Sequence, residues 1–164
     1  MTSRIHVTFI CMGNICRSPT AHGVLRQKVA HAGLSGRVGV DSAGTHGYHA
    51  GAPPDLRSQS HARRRGYDLS DLRARQLGAR DFEAADLLLV MDEANLMWAM
   101  QHCPSQHRAK LRRLTEFCRA RANCLEVPDP YYGGPADFEN VLDLVEDACE
   151  GLLNHLRARI DVDR

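Results

Sequence analysis

The chain has 164 residues, a hydrophobic fraction of 43%, a charged fraction of 25% and a net charge of +1. That length suits one domain, residues 1–164, with a proper core, and the near-neutral charge gives no global pull toward nucleic acid. The longest apolar run is far too short to cross a bilayer, and Met1-Thr2-Ser3-Arg4 lacks the apolar stretch of a secretory signal, so a cytoplasmic protein is expected.

The first predicted element is a buried strand over Ile5–Ile10, and a helix is predicted over about Pro19–Ala32. Between them runs Cys11-Met12-Gly13-Asn14-Ile15-Cys16-Arg17-Ser18-Pro19, a strand-to-helix turn with five residues between its first cysteine and its arginine. Backbone N–H groups and a helix end can hold an anion at such a turn. A helix N-terminus and a nearby cation also favour the thiolate, the attacking form of a cysteine. Arg17 supplies that cation, and its planar guanidinium can bind two phosphate oxygens at once. Ser18 fits an N-cap and Pro19 the first helical position, and the Ser18 hydroxyl can also reach the sulfur. Gly13 and Asn14 tolerate the backbone angles that a loop curling its N–H groups inward needs. Other readings of Cys11 are a small buried hydrophobe or, with Cys16, a metal ligand. The four-residue gap is poor zinc spacing, and the loop lacks the Gly-x-x-x-x-Gly-Lys-Ser/Thr pattern of a nucleotide site.

Further strands are predicted over Arg37–Ser42, Leu87–Met91 and Lys110–Leu114, and helices over about Asp55–Arg65, Asp92–Gln101 and Ala136–Arg159. The third strand is a continuous apolar run bounded by Asp86 and Asp92, which suits a strand covered on both faces. In the last helix Phe138, Val141, Leu142, Val145, Cys149, Leu152, Leu153 and Leu156 recur at three- and four-residue spacing. Strands alternating with helices predict an α/β fold: a single-domain, doubly wound, four-stranded parallel sheet flanked by helices. Ligands of such sheets sit beyond the carboxyl ends of the strands, which is where Cys11 falls.

Two later loops belong to the same edge. Asp41 to Gly51 follows the second strand; in it Ser42 can hold Asn14, and Tyr48 and His49 can line a pocket. Asp92, after the third strand, reads as a helix N-cap. Farther on, Pro128-Asp129-Pro130-Tyr131-Tyr132-Gly133-Gly134 stiffens the backbone around an aspartate. It is either an ordinary Asp-Pro turn or a carboxyl group held over a reaction centre, with Tyr131 and Tyr132 flanking a flat substrate ring.

The remaining signals are plainer. Arginines crowd residues 57–80 and 108–121, and acids crowd residues 137–150, which reads as solvated helix faces. Six cysteines at 11, 16, 103, 118, 124 and 149 form no dense framework, so reduced thiols are expected.

Taken together, these residues make the chain resemble the low-molecular-weight protein tyrosine phosphatases nearly end to end. Cys11 to Pro19 is similar to their active-site loop, Ser42-Ala43-Gly44-Thr45 to their second loop, and Asp129-Pro130-Tyr131-Tyr132 to their acid loop. Ala74-Arg75-Gln76-Leu77, and Val90-Met91-Asp92 with Asn95, also match family segments. The resemblance implies hydrolysis of phosphotyrosine on protein substrates, and of aryl phosphates, with Cys11 as nucleophile. Phosphate would be bound by Arg17 and by loop residues Met12, Gly13, Asn14, Ile15, Cys16 and Ser18, and Asp129 would be the acid. It implies a phosphocysteine intermediate, no metal or other cofactor, no nucleic-acid or membrane partner, and a reversible disulfide between Cys11 and Cys16. Asn14, Ser18 and Ser42 would support the loop, and Met12, Tyr48, His49, Tyr131 and Tyr132 would flank the substrate. Three positions depart from the family: Tyr48 stands where a tryptophan is common, Met12 where a leucine is common, and Leu72-Arg73 where many members have a histidine that supports the loop asparagine. The last leaves the support of Asn14 open. A thioredoxin-coupled arsenate reductase would need a resolving cysteine pair, and no cysteine lies between Arg17 and Met100. A non-catalytic phosphotyrosine reader would not need both Cys11 and Asp129. Nothing in the sequence indicates an oligomeric state.

Overall fold

The structure is a computed structural model and describes residues 4–121 and 123–162. The reading of the leader at Met1-Thr2-Ser3 falls outside them. Four strands, β1 (Ile5–Cys11), β2 (Val38–Gly44), β3 (Leu87–Val90) and β4 (Leu111–Arg113), form one parallel sheet in the order β2-β1-β3-β4. The strand order reverses at β1, so the crevice beyond the carboxyl ends of β1 and β3 is the switch point where such sheets bind ligands.

Helices cover both faces, as the alternation predicts. α1 (Arg17–His31), α2 (Leu56–Arg64) and α5 (Pro135–Val162) lie on one side, and α3 (Ala79–Ala84) and α4 (Glu93–His102) on the other. The first face buries Val7, Phe9 and Leu89 against Val24 and Leu25 of α1 and Val145, Leu152 and Leu156 of α5. A fully buried Leu such as Leu152 or Leu156 contributes about 1.5–3 kcal/mol over an exposed one, so the α1–α5 layer anchors the helix that follows the turn after Cys11. The smaller second core packs Ile10, Leu88 and Val90 against Phe82, Ala85 and Ala99. β3 is buried at all four residues, which explains its unbroken apolar run.

Predicted and observed elements differ at their ends. β1 and β2 each continue to the sheet edge, to Cys11 and Gly44. α1 begins at Arg17 with Cys16 as its cap residue, which corrects the expectation that Ser18 caps it. Helical backbone two residues earlier turns the Ser18 hydroxyl toward the sulfur, and Pro19 still lies in the first turn, where its missing N–H costs nothing. α3 carries no readable pattern because only Phe82 of its six residues is buried, too few for a periodicity. Among the described residues no helix is long and apolar enough to cross a membrane.

Candidate active site

Cys11 ends β1 and is 3% exposed. The chain then turns through Met12–Cys16 into α1, and Asn14 takes a left-handed conformation, φ 56°, a region that asparagine enters more readily than most residues. The Asn14 N–H donates to Cys11 Sγ (3.3 Å), and its side-chain amide donates to Ser18 Oγ (2.7 Å). Ser18 Oγ lies 3.0 Å from Cys11 Sγ. A hydroxyl has a single proton, and with Asn14 filling an acceptor site that proton is free to point at the sulfur.

The loop's carbonyls are drawn outward. Cys11 O accepts from the Thr45 N–H (2.9 Å), Met12 O from His46 (3.0 Å) and Ile15 O from Asp55 (2.8 Å); Cys16 O accepts from the Thr20 hydroxyl (2.6 Å). In a trans peptide the N–H points opposite to the C=O, and the described residues contain no cis bond. The amides of Met12, Gly13, Cys16 and Arg17 therefore aim to the other side, which is an anion cradle. Gly44 makes this docking possible: a Cβ there would sit 2.7 Å from Met12 O.

Arg17 is 3% exposed. Its Nη1 donates to Asp92 Oδ2 (2.5 Å) and to the Val127 carbonyl (3.1 Å), while Nη2 lies 3.8 Å from Asp129 Oδ2. Burial alone would weaken the cation, but the charges of Cys11, Asp92 and Asp129 outweigh it and Arg17 is held more firmly protonated. Asp92 does two things, capping α4 through the Asn95 N–H (2.8 Å) and holding the guanidinium. Asp129 Oδ1 accepts from the Tyr131 N–H (3.1 Å), which turns the other oxygen toward Arg17.

A cavity of about 300 Å³ opens above the sulfur, lined by the loop, Arg17, Asp129 and a wall of Tyr48, His49, Tyr131 and Tyr132. Met12, Tyr48 and Tyr132 stand exposed at its mouth. The Arg57 guanidinium, paired with Asp55, lies 5.4 Å from the centre of the Tyr131 ring and steadies that wall. Cys16 is buried beside the cavity, and burial lifts its thiol to about 12, so it stays protonated. Among the described residues no three His, Cys, Asp or Glu side chains are grouped to hold a metal ion.

One support differs from expectation, and the open support of Asn14 comes from another segment. Ser42 does not reach Asn14; its hydroxyl lies 3.0 Å from Nδ1 of His22 on α1. Burial, reinforced by Arg26, pulls His22 down to about 4 and keeps it a neutral partner for that hydroxyl. Asn14 is held instead by the Arg75 backbone N–H, which donates to its Oδ1 (3.0 Å). Asp92, Arg75, His22 and the Val127 carbonyl are the participants that the sequence did not assign to the site. Asp92 left a signal in its place directly after β3, at the edge that carries Cys11, and Arg75 left one only as part of the family segment Ala74-Arg75-Gln76-Leu77.

Residues 6–162 match the model of the low molecular weight phosphotyrosine protein phosphatase family. The chain is 40% identical over 161 residues to the low molecular weight protein-tyrosine phosphatase A of Mycobacterium tuberculosis, covering 98% of this chain and 96% of that one. It is also 40% identical over 149 residues to the human low molecular weight phosphotyrosine protein phosphatase, covering 90% and 92%. A protein tyrosine phosphatase from Entamoeba histolytica, crystallised with Hepes in its active site, superposes with a TM-score of 0.90 at 38% identity over 94% of this chain and 97% of that one. Fold, cavity and relatives agree, and the chain belongs to the low molecular weight protein-tyrosine phosphatases, which are phosphoric monoester hydrolases.

Proposed function

We propose that this domain hydrolyses phosphotyrosine on proteins through a phosphocysteine intermediate. The observation that carries the reading is the convergence of Cys11 Sγ, the Arg17 guanidinium and the Asp129 carboxyl on one cavity, with the carbonyls of Cys11, Met12, Ile15 and Cys16 bonded away from it. The thiolate attacks phosphorus in line, the S–P bond forms and the P–O bond to the phenol breaks. The inward amides and Arg17 Nη2 hold the equatorial oxygens, whose charge must be balanced through the transition state. Arg17 Nη1 is fixed by Asp92 and Val127, which aims the remaining nitrogen. Asp129 gives its proton to the leaving phenolic oxygen. It then takes one from the water that attacks phosphorus, breaks the S–P bond and frees phosphate.

A buried sulfur beneath an aromatic wall favours a substrate with a long flat side chain, so phosphotyrosine reaches the nucleophile better than phosphoserine. Among the described residues the cavity lining holds no cysteine beyond Cys11 and Cys16, which disfavours the arsenate reductase. The presence of nucleophile, cation and acid disfavours a mere reader.

A shared intermediate fixes how product divides between acceptors. With glycerol added, the ratio of glycerol phosphate to inorganic phosphate should be the same for aryl phosphates of different leaving group. A ratio that follows the leaving group would mean direct displacement by water and would defeat the intermediate.

Cys16 is the proposed redox partner. Peroxide oxidises the Cys11 thiolate to a sulfenic acid, and condensation with the Cys16 thiol releases water and leaves a disulfide that a dithiol reduces. After peroxide treatment, dithiothreitol should restore the wild type but not Cys16→Ser. Equal recovery of the two proteins would remove Cys16 from the protective role.

A further inference from the structure

The loop that carries the nucleophile contains one strained residue, Asn14, and the group that holds its side-chain carbonyl belongs to a segment 61 residues away. A backbone N–H cannot be chosen by side-chain type, so what matters is what fixes the peptide that bears it. Arg75 is fixed unusually well. Its guanidinium grips both oxygens of Asp81 (2.8 and 3.0 Å) and one of Asp41 (2.8 Å). Each carboxylate is itself anchored: Asp81 accepts from the Gly78 N–H at the start of α3 (2.8 Å), and Asp41 accepts from the Ser42 N–H on β2 (2.8 Å). The Arg75 carbonyl accepts from the Gly44 N–H (2.9 Å), and Gly44 O accepts from the Leu77 N–H (2.7 Å), so the segment docks as a one-bridge extension of β2.

We infer that the Asp41–Arg75–Asp81 clamp is a positioning device for catalysis, which holds Asn14 in its left-handed conformation and so keeps the Ser18 hydroxyl on the Cys11 sulfur. The chain of contacts is continuous: clamp, Arg75 N–H, Asn14 Oδ1, Asn14 Nδ2, Ser18 Oγ, Cys11 Sγ. No clamp side chain lines the cavity, so Arg75, Asp41 and Asp81 act only through the loop. If the Arg75 peptide shifts, Asn14 loses its outer partner. Its amide then no longer occupies the Ser18 acceptor site, and the hydroxyl proton need not face sulfur. The clamp also answers how this chain manages with Leu72-Arg73 in place of a histidine: a bidentate arginine–carboxylate pair fixes geometry as well as charge, and here it fixes a peptide.

The inference rests on Cys11 being the attacking atom, and the experiment separates the two claims. Arg75→Ala, Arg75→Lys and Asp81→Asn are assayed with p-nitrophenyl phosphate, with inorganic phosphate as inhibitor and with iodoacetate alkylation of Cys11 across pH. The clamp predicts that kcat falls by about 10–100-fold in Arg75→Ala, as a small misplacement from outside the site can cause. Phosphate inhibition should weaken, and the alkylation midpoint should move to higher pH. Arg75→Lys should recover part of the loss, and Asp81→Asn should fall between. In an Asn14→Ala background the Arg75→Ala change should add nothing to the loss in kcat, the signature of two residues acting through one contact. Arg75→Ala with unchanged kcat, phosphate inhibition and alkylation profile, or a loss of full size in the Asn14→Ala background, would overturn the clamp. A wild type in which iodoacetate alkylates Cys11 without loss of turnover would instead overturn the nucleophile.

Discussion

Cys11→Ser should lower turnover of p-nitrophenyl phosphate by about 10⁴-fold or more, as removal of an enzyme's nucleophile does. A serine Oγ takes nearly the place of the sulfur, so the contacts from the Asn14 N–H and Ser18 persist and the cradle of amides and Arg17 remains. What changes is the nucleophile itself, since a hydroxyl is a far weaker attacking group than a thiolate near neutral pH. The variant should therefore still bind inorganic phosphate, with an inhibition or binding constant close to the wild type, while turnover disappears. Binding and turnover must be read together, because loss of both would describe a collapsed loop. Turnover within tenfold of wild type would place the attacking group elsewhere.

Asp129→Asn gives the second large effect, and its size should depend on the substrate. The amide retains an oxygen for the Tyr131 N–H, so the acid loop keeps its shape. It has no proton to give. A general acid contributes about 10²–10⁴-fold where the leaving oxygen is basic. Because Asp129 also serves the common second step, the acid role is read from kcat/KM, which ends at phosphorylation of Cys11: there the loss should approach that range for phenyl phosphate, a mimic of phosphotyrosine, and shrink to a few-fold for p-nitrophenyl phosphate, whose phenolate leaves unaided. In the variant, log kcat/KM plotted against leaving-group pKa should fall with a much steeper negative slope than in the wild type. A uniform loss across the series would assign Asp129 to binding and leave the acid unidentified.

How legible the site was depends on how far apart its parts lie along the chain. Cys11, Asn14, Arg17 and Ser18 share one turn, so residue types and spacing carry their geometry directly. The placement of β1 before them and α1 after them follows from periodicity over a few residues. Asp129 could be picked out because two prolines and two glycines announce a shaped loop, although nothing local says that it faces Arg17. Asp92 is a different case. Its capping role is visible from its neighbours, but its pairing with Arg17 spans 75 residues and exists only because β1 and β3 are adjacent. The Arg75 N–H is less legible still, because every non-proline residue offers one. Ser42 was misassigned for a related reason: it is at the right edge, but its hydroxyl meets the buried His22, and the geometry of α1 against β2 decides that. Boundaries slipped where the chain does something other than maximise its local preference, as at Arg17, which turns helical early to aim Ser18.

The central place of β1 also governs when this enzyme becomes one during its own synthesis. The nucleophile is made before its partners: β1 is completed by β3, Arg17 is held by Asp92 and Val127, and α1 is covered by α5, the last of the described elements. From Cys11 to Asp129 the ribosome adds 129 − 11 = 118 residues, which at about 5–20 residues per second takes about 6–24 s. Throughout that interval both loop thiols exist without the fold that buries them, and no phosphate can be turned over. A chain cut short within α5 therefore carries the whole signature loop and lacks the packing that holds it in place.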